Sequence, residues 1–576
     1  MQIMKKIFNT LLLLMACQFS TQLIAQTRDN LNKEEIEISG EYNPIVKEAE
    51  RIASNPQTES IEVPKAEMNY NFLNKTVEST FQTDSIPPAS IKKEPLTKLY
   101  PFYVKAGFGT NASPLAEVYI NSVRNKSYNI GLSNQFFSTS SKVLDQTESN
   151  YLHNRLNLYG TYFLKKYDLG AKFNYNIQQN NYYGFTDLIQ YELIKPNIQN
   201  PSNQQYSTLE GSVYFKKMYV DSNEINISAD ANYYNFKNRF GNSENHVDLN
   251  VYGFKYFKKL KVGADYSLSY NQSNPNALIN IVPKETKLLE ESAVNSFKPH
   301  IKYDDGRFKG MVGANVSFAS VIGSVSDVYI YPNLHAEFQI VEKVIVPFAG
   351  ISGGIKQNTF REMAERNPFL GSQYSTPFVN NKFDFYGGIK GNATSKIAFN
   401  ATYSYSQVDN FMMFSANSLY IPSENKIYQN ISFTPTFEYA DVSSIYGEIS
   451  YQKDEKLRIL AKGKFNKYKP EFRAKAFYLP EFEAGLTANY NLKNKIIAKA
   501  DLFYIGSRFS DVKDLTNNEF IKLNGTVDVN LGVEYRYNNK ISFFLDLNNV
   551  GFVQFQRYYQ YPTQRFNLLA GLTFSF

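Results

Sequence analysis

The residues from Arg565 to Phe576 (RFNLLAGLTFSF) alternate strictly. Phe566, Leu568, Ala570, Leu572, Phe574 and Phe576 share one face, and mostly small or polar residues share the other. Side chains of a strand point alternately to its two sides, so a period of two that ends on an aromatic residue describes a strand with one face in oil. A buried strand of a soluble sandwich has the same local pattern. The rest of the chain has to decide between that and a strand facing lipid, and it favours the closing strand of a transmembrane barrel.

The other end of the chain agrees. Lys5 and Lys6 precede an apolar run (IFNTLLLLMA) that is too short to span a bilayer, and Ala25 follows it. Residues 1–25 read as a secretory signal peptide, with cleavage after Ala25 leaving Gln26 as the new N-terminus. Leu14-Met15-Ala16-Cys17 offers a rival, a lipobox that would lipidate Cys17. Cys17 is the only cysteine, so neither an internal disulfide nor a thiolate metal cluster can form. Mean hydropathy is −0.40 and no further stretch is apolar enough for a membrane helix. A barrel, however, hides its lipid contact in every second residue. The net charge of +7 is too modest to argue for nucleic acid.

From Tyr100 onward, strands are separated by two sorts of connection. Short polar clusters fall at 124–127 (RNKS), 165–168 (KKYD), 221–224 (DSNE), 258–261 (KKLK), 304–307 (DDGR), 341–343 (VEK), 392–395 (NATS), 453–456 (KDEK), 492–495 (LKNK) and 537–540 (YNNK). These read as periplasmic turns, Asp305-Gly306 being the strongest hairpin signal. Between them lie long stretches bearing Asn, Ser and Pro, such as 179–205, 273–291, 355–381 and 408–433, which read as extracellular loops. Ten turns and eleven loops predict an all-β, single-chain, antiparallel barrel of about 22 strands, with 20 to 24 as the range, over residues 99–576.

The strand pattern assigns faces. Val527, Val529, Leu531, Val533, Tyr535 and Tyr537 point outward, against Asp528, Asn530, Gly532, Glu534 and Arg536 inward. Ile541, Phe543, Leu545 and Leu547 do the same, with Phe544 as the exception on the inner face. Leu169 to Ile177 repeat the scheme around Lys172. Lys172, Lys499, Asp501, Asp528, Glu534 and Arg536 are thus expected to line the lumen, either as a path or simply as cross-strand pairs. The chain has no Trp, so its 44 tyrosines and 45 phenylalanines must build the interfacial girdles. Tyr558, Tyr559 and Tyr561 in the last loop are candidate ligand contacts through ring stacking; packing within the loop is the other reading.

Residues 26–98 differ. Alternation disappears, Pro44, Pro56, Pro64, Pro87, Pro88 and Pro95 punctuate a charged run, and 13 acidic against 9 basic side chains make the segment net negative. Asn43 to Ile52 has room for a short helix starting at Pro44. The segment reads as irregular and periplasmic, either docked at the lumen or free as a tether.

Three stretches resemble the TonB-dependent-receptor-like outer-membrane barrels of Gram-negative bacteria: Glu41 to Ile52 (EYNPIVKEAERI), Tyr103 to Ser122 (YVKAGFGTNASPLAEVYINS) and Pro480 to Ser507 (PEFEAGLTANYNLKNKIIAKADLFYIGS). Gly571, Phe574 and Phe576 resemble the C-terminal signal read by barrel-assembly machinery, although Leu569 replaces its usual polar residue. The resemblance implies an outer-membrane protein of transporter-like architecture in contact with outer-membrane lipids. It also implies a lumen plug, for which residues 26–98 are short. Glu35, Ile36, Glu37, Ile38 and Ser39 are a candidate strand for TonB or another partner.

Two functions stay open. One is uptake across the outer membrane, energised through TonB or assisted by a surface lipoprotein; the other is a non-transporting barrel scaffold within an assembly or secretion complex. Enzymatic chemistry has little support. The four histidines show no metal-ligand spacing, no phosphate-binding or dinucleotide fingerprint occurs, and no cofactor is expected.

Overall fold

A computed structural model describes residues 98–143, 147–184, 203–217, 220–275, 290–321, 326–371, 374–421, 426–514 and 517–576. The signal peptide, Cys17, the candidate helix from Pro44 and the stretch Glu35 to Ser39 lie outside the described residues.

Twenty-two strands form one antiparallel sheet, each paired with its predecessor in the chain. The sheet closes on itself. Phe102–Gly109, the first strand, pairs with Asn567–Ser575, the last, from Tyr103↔Ser575 to Gly109↔Leu569. Phe102 and Phe576 exchange backbone hydrogen bonds of 3.1 Å in both directions, and their rings stack at 4.8 Å. Closure leaves no row of unpaired amides facing lipid, which is the condition for strands to cross a bilayer.

All ten expected turns occur where the residues place them, and all lie at one end of the barrel. In the turn between Glu290–Asp304 and Phe308–Val321, Asp305 accepts from the backbone N–H groups of Arg307 (3.0 Å) and Phe308 (2.7 Å). Gly306 there takes φ 88°, a conformation costly for any residue with a Cβ. The other eleven connections join the strands at the opposite end; some, such as 110–112 and 239–242, are as short as the turns.

Period-two patterning sets the two faces. Val312, Ile330, Ile445 and Ile449 stand 56 to 73% exposed on the outer face. The inner face carries the buried Ser269, Ser296, Asn315 and Ser317; Ser317 bonds Ser296 and Asn315, and Ser269 bonds the His246 ring. An apolar belt this continuous on an outer surface belongs to lipid. Phe544, the apolar residue expected on the inner face, has a physical reason to be there. Its ring covers Gly107 and Gly571 on the closure seam, where a Cβ on Gly571 would sit 2.1 Å from the Ala106 carbonyl oxygen and 2.7 Å from the Phe544 ring. The Lys105 ammonium lies 4.1 Å above the same ring and 3.6 Å from Asp546. An aromatic side chain laid over strand glycines restores the packing those glycines lack.

One loop expectation needs correction. Residues 408–433 are not a loop but the far half of a hairpin whose strands, Ile397–Ile421 and Lys426–Lys453, run 25 and 28 residues. About 9 to 11 tilted residues suffice to cross a bilayer, so the remainder projects beyond it. The ladder continues from Phe411↔Glu438 to Ile421↔Lys426, with register shifts at Val408/Phe411 and Ala416/Ser418. Beyond the membrane nothing requires an oily outer face, so the alternating pattern that marks a strand disappears.

Leu531 lies mid-strand on the outer face of Thr526–Arg536, and its neighbour Asn530 faces inward. Leu531→Arg is expected to lower folding stability by about 2–4 kcal/mol, and Asn530→Arg by clearly less. Urea titrations in lipid vesicles measure both; equal losses would contradict the assignment of faces.

Candidate functional site

The loop end of the barrel carries a core of its own. Tyr182 and Tyr206, Tyr234 and Phe236, Phe360 and Met363, Leu370, Met412, Phe414 and Phe433, Phe477 and Tyr478, Leu523, Tyr558 and Tyr561 pack into one buried cluster. Phe360, Met363 and Phe433 are fully buried. These side chains arise from strands and loops spread around the circumference. The strands carrying Tyr206 and Phe433, sixth and sixteenth in the ring, stand nearly opposite each other. They can share a core only if chain crosses the mouth between them.

Residues 358–371 make that crossing. Helix Phe360–Arg366 begins at Thr359, whose hydroxyl accepts from the Glu362 amide at 3.1 Å, and ends where the Asn367 amide reaches the Met363 carbonyl at 2.9 Å. Beyond it, Pro368 and Leu370 offer their carbonyls to the hydroxyls of Tyr206 (3.1 Å) and Tyr182 (2.6 Å). Residues 369–371 then lie beside the long hairpin, with amide–carbonyl bonds between Gly371 and Phe433 (2.8 Å) and between Phe433 and Phe369 (3.0 Å). The Tyr558 hydroxyl donates to the Arg366 carbonyl at 2.7 Å.

A buried carboxylate pins the start of the helix. Glu244, fully buried on strand Ser243–Phe257, accepts from the Phe360 amide (2.6 Å), the Arg361 amide (3.3 Å), the Tyr234 hydroxyl (2.9 Å) and the Asn271 side chain (3.3 Å). Four donors around one acceptor-only group offset the cost of burying its charge. Arg361 adds a 3.4 Å ion pair with Glu210 and lies 4.8 Å over the Tyr234 ring.

His246 follows two residues on. Its Nδ1 meets the Asn271 side-chain oxygen at 3.0 Å, while Asp248 (3.1 Å) and the Ser269 hydroxyl (3.0 Å) share its Nε2. A nucleophilic relay needs hydroxyl and carboxylate on opposite ring nitrogens. This arrangement fixes the wall beneath the cap instead. His335 is likewise held by Glu337 (3.1 Å) and the Tyr386 hydroxyl (2.9 Å). Among the described residues no group of three His, Cys, Asp or Glu is placed to hold a metal ion.

The expected site residues separate into three sets. Lys499 and Asp501 face the same panel of wall as Asp528, Glu534 and Arg536 on the adjacent strand, through Lys499↔Gly532 and Asp501↔Asn530. Local partners hold several of them: Thr487 donates to Asp501 at 2.7 Å, and Arg536 to Glu534 at 3.3 Å. Lys172 is not part of this panel; it lies on Tyr167–Asn181, its ammonium 6.0 Å from the Tyr214 ring. Tyr558 and Tyr561 are buried inside the cap and Tyr559 packs against it. As placed, the Tyr558 and Tyr561 rings are packing residues, while Tyr559 is half-buried. Sequence reasoning missed Glu244, helix Phe360–Arg366 and the cap itself. The apolar run Phe411 to Phe414, inside a stretch read as a loop, was the available signal.

Removing the carboxylate in Glu244→Ala leaves two helix amides unpaired, at a cost of about 3 kcal/mol to the closed cap. Protease cleavage within residues 358–377 is expected to rise while the barrel keeps its heat-modifiable mobility on gels. Unchanged cleavage would refute the latch.

No protein-family model matches the chain, and no curated protein matches it in sequence. Solved structures do match. The FrpB iron transporter from Neisseria meningitidis superposes with a TM-score of 0.62 at 11% identity, over 84% of this chain and 82% of that one. The siderophore receptor PirA from Acinetobacter baumannii gives 0.60 at 9% identity over 82% and 80%, and the ferric-catecholate import receptor Fiu of E. coli K12 gives 0.58 at 11% over 83% and 82%. Identities this low speak to architecture alone: the chain shares the closed β-barrel fold of these transporters and receptors, here with 22 strands.

Proposed function

We propose that the chain is an outer-membrane uptake barrel of the receptor type, closed at its outer mouth by its own loops rather than standing open as a pore. The observation that carries this reading is the loop core across the mouth of a polar-walled barrel. A 22-strand barrel encloses a lumen wide enough to leak solutes, and the cap is a barrier that a ligand or partner can move. The fold shared with the iron transporter and the siderophore and ferric-catecholate receptors supports a transport role. Charged residues on the inner wall, including the panel of Lys499, Asp501, Asp528, Glu534 and Arg536, would solvate the path.

The remaining parts of the reading rest on the sequence. Residues 26–98 would lie in the periplasm as a partial plug or docking tail, and Glu35 to Ser39 would add a strand to TonB. Gly571, Phe574 and Phe576 would be read by the assembly machinery. A surface lipoprotein is the partner expected above the cap.

Deletion in the native host tests the reading against the scaffold alternative. A growth defect confined to particular nutrients, restored by the intact chain, is the expected result. Broad detergent sensitivity with unimpaired growth on every nutrient would replace uptake with scaffolding.

A further inference from the structure

Arg508 opens a short hairpin, Arg508–Lys513 paired with Phe520–Leu523, that folds into the cap. It is 2% exposed, the largest fully buried side chain among the described residues. Its one hydrogen bond there runs from Nη2 to the Gln556 carbonyl at 2.6 Å; its Nε–H is buried without an acceptor. Among the described residues no carboxylate approaches within 4.0 Å. Asp511, the acid on the same hairpin, is engaged elsewhere: it accepts from Ser415, the Ala416 amide and Tyr478. Glu483 acts on Arg508 only at longer range.

A second guanidinium stands close by. Arg557 follows Gln556 directly and is exposed to solvent. Arg508 and Arg557 oppose each other's charge, and both act on Tyr558. Burial pushes the Tyr558 phenol up to about 12, so it stays a neutral hydrogen-bonding group. Burying a cation without a counter-ion is among the costliest arrangements a fold can hold, and a second cation beside it adds to that cost. A bound oxyanion removes both costs, and a guanidinium fork is shaped for its paired oxygens.

We propose that Arg508 and Arg557, brought together where the 508–513 strand meets the Gln556–Tyr558 segment, form an anion-binding site in the loop cap that takes a carboxylate or phosphate group. The buried Nε–H of Arg508 supplies a desolvated donor, and exposed Arg557 supplies the entrance. An occupied site ties the 508–523 hairpin to the final loop, so the anion also strengthens the closed cap. The site stands whether or not the barrel transports.

Calorimetric titration of the full chain in detergent, at constant ionic strength with chloride as the control, tests this with two probes, inorganic phosphate and citrate. Saturable heat with at least one probe is expected, weakened tenfold or more in Arg508→Gln and in Arg557→Gln. Binding of phosphate alone assigns a tetrahedral anion, and of citrate alone a carboxylate. Should Arg508→Gln fail to give a heat-modifiable barrel, the exposed Arg557→Gln decides. No saturable heat from either probe, or heat unchanged in the folded variants, overturns the proposal.

Discussion

Everything in this molecule depends on one requirement: no backbone amide or carbonyl can face hydrocarbon unpaired. A sheet meets it only by closing, and closure dictates the rest. It requires the first strand to find the last, it requires one face of every strand to be oily, and it encloses a lumen whose width follows from the strand number. The seam is closely packed, with Gly107 and Gly571 side by side under the Phe544 ring. Backbone pairing supplies the architecture, while the side chains decide which face is which and what happens at the mouth.

The mouth is held by different physics. Its core is aromatic and aliphatic like that of a soluble domain, and its polar anchors lie on the barrel wall: Glu244 under the helix, Tyr182 and Tyr206 against the carbonyls beyond it. Because the pieces hang on strands all around the ring, the barrel acts as a rigid frame that aligns loops with no stable fold of their own. The long hairpin supplies Met412, Phe414 and Phe433, and the last loop supplies Tyr558 and Tyr561.

How much of this was legible follows from the range of the interactions. The barrel was readable because its signals are local. Asp305-Gly306 announces a turn from two residues, and Val527 to Tyr537 announces a lipid face from eleven. The cap was not, because its contacts join residues hundreds of positions apart and leave no period behind. Phe433 and Tyr558 look like any loop aromatics until their partners are known. Glu244, in a polar stretch, gives no hint that a helix more than a hundred residues later will rest on it. Tyr558 and Tyr561 drew attention for the right loop but the wrong reason, since exposed stacking faces and buried packing faces have the same sequence. Arg508 carries no sequence signal of its own, and only its burial makes it a question.

The pairing of Phe102 with Phe576 has a bearing on how the molecule comes into being. The strand that completes the ring is made after the other twenty-one, so no earlier portion of the barrel can hide both of its edges. Until Asn567–Ser575 arrives, Phe102–Gly109 is an open template for any extended peptide, its own or another's. Loss of the strand Asn567–Ser575 would therefore leave not a slightly smaller barrel but a sheet with two sticky margins. The cell has reason to keep such a chain chaperoned until that strand is in place.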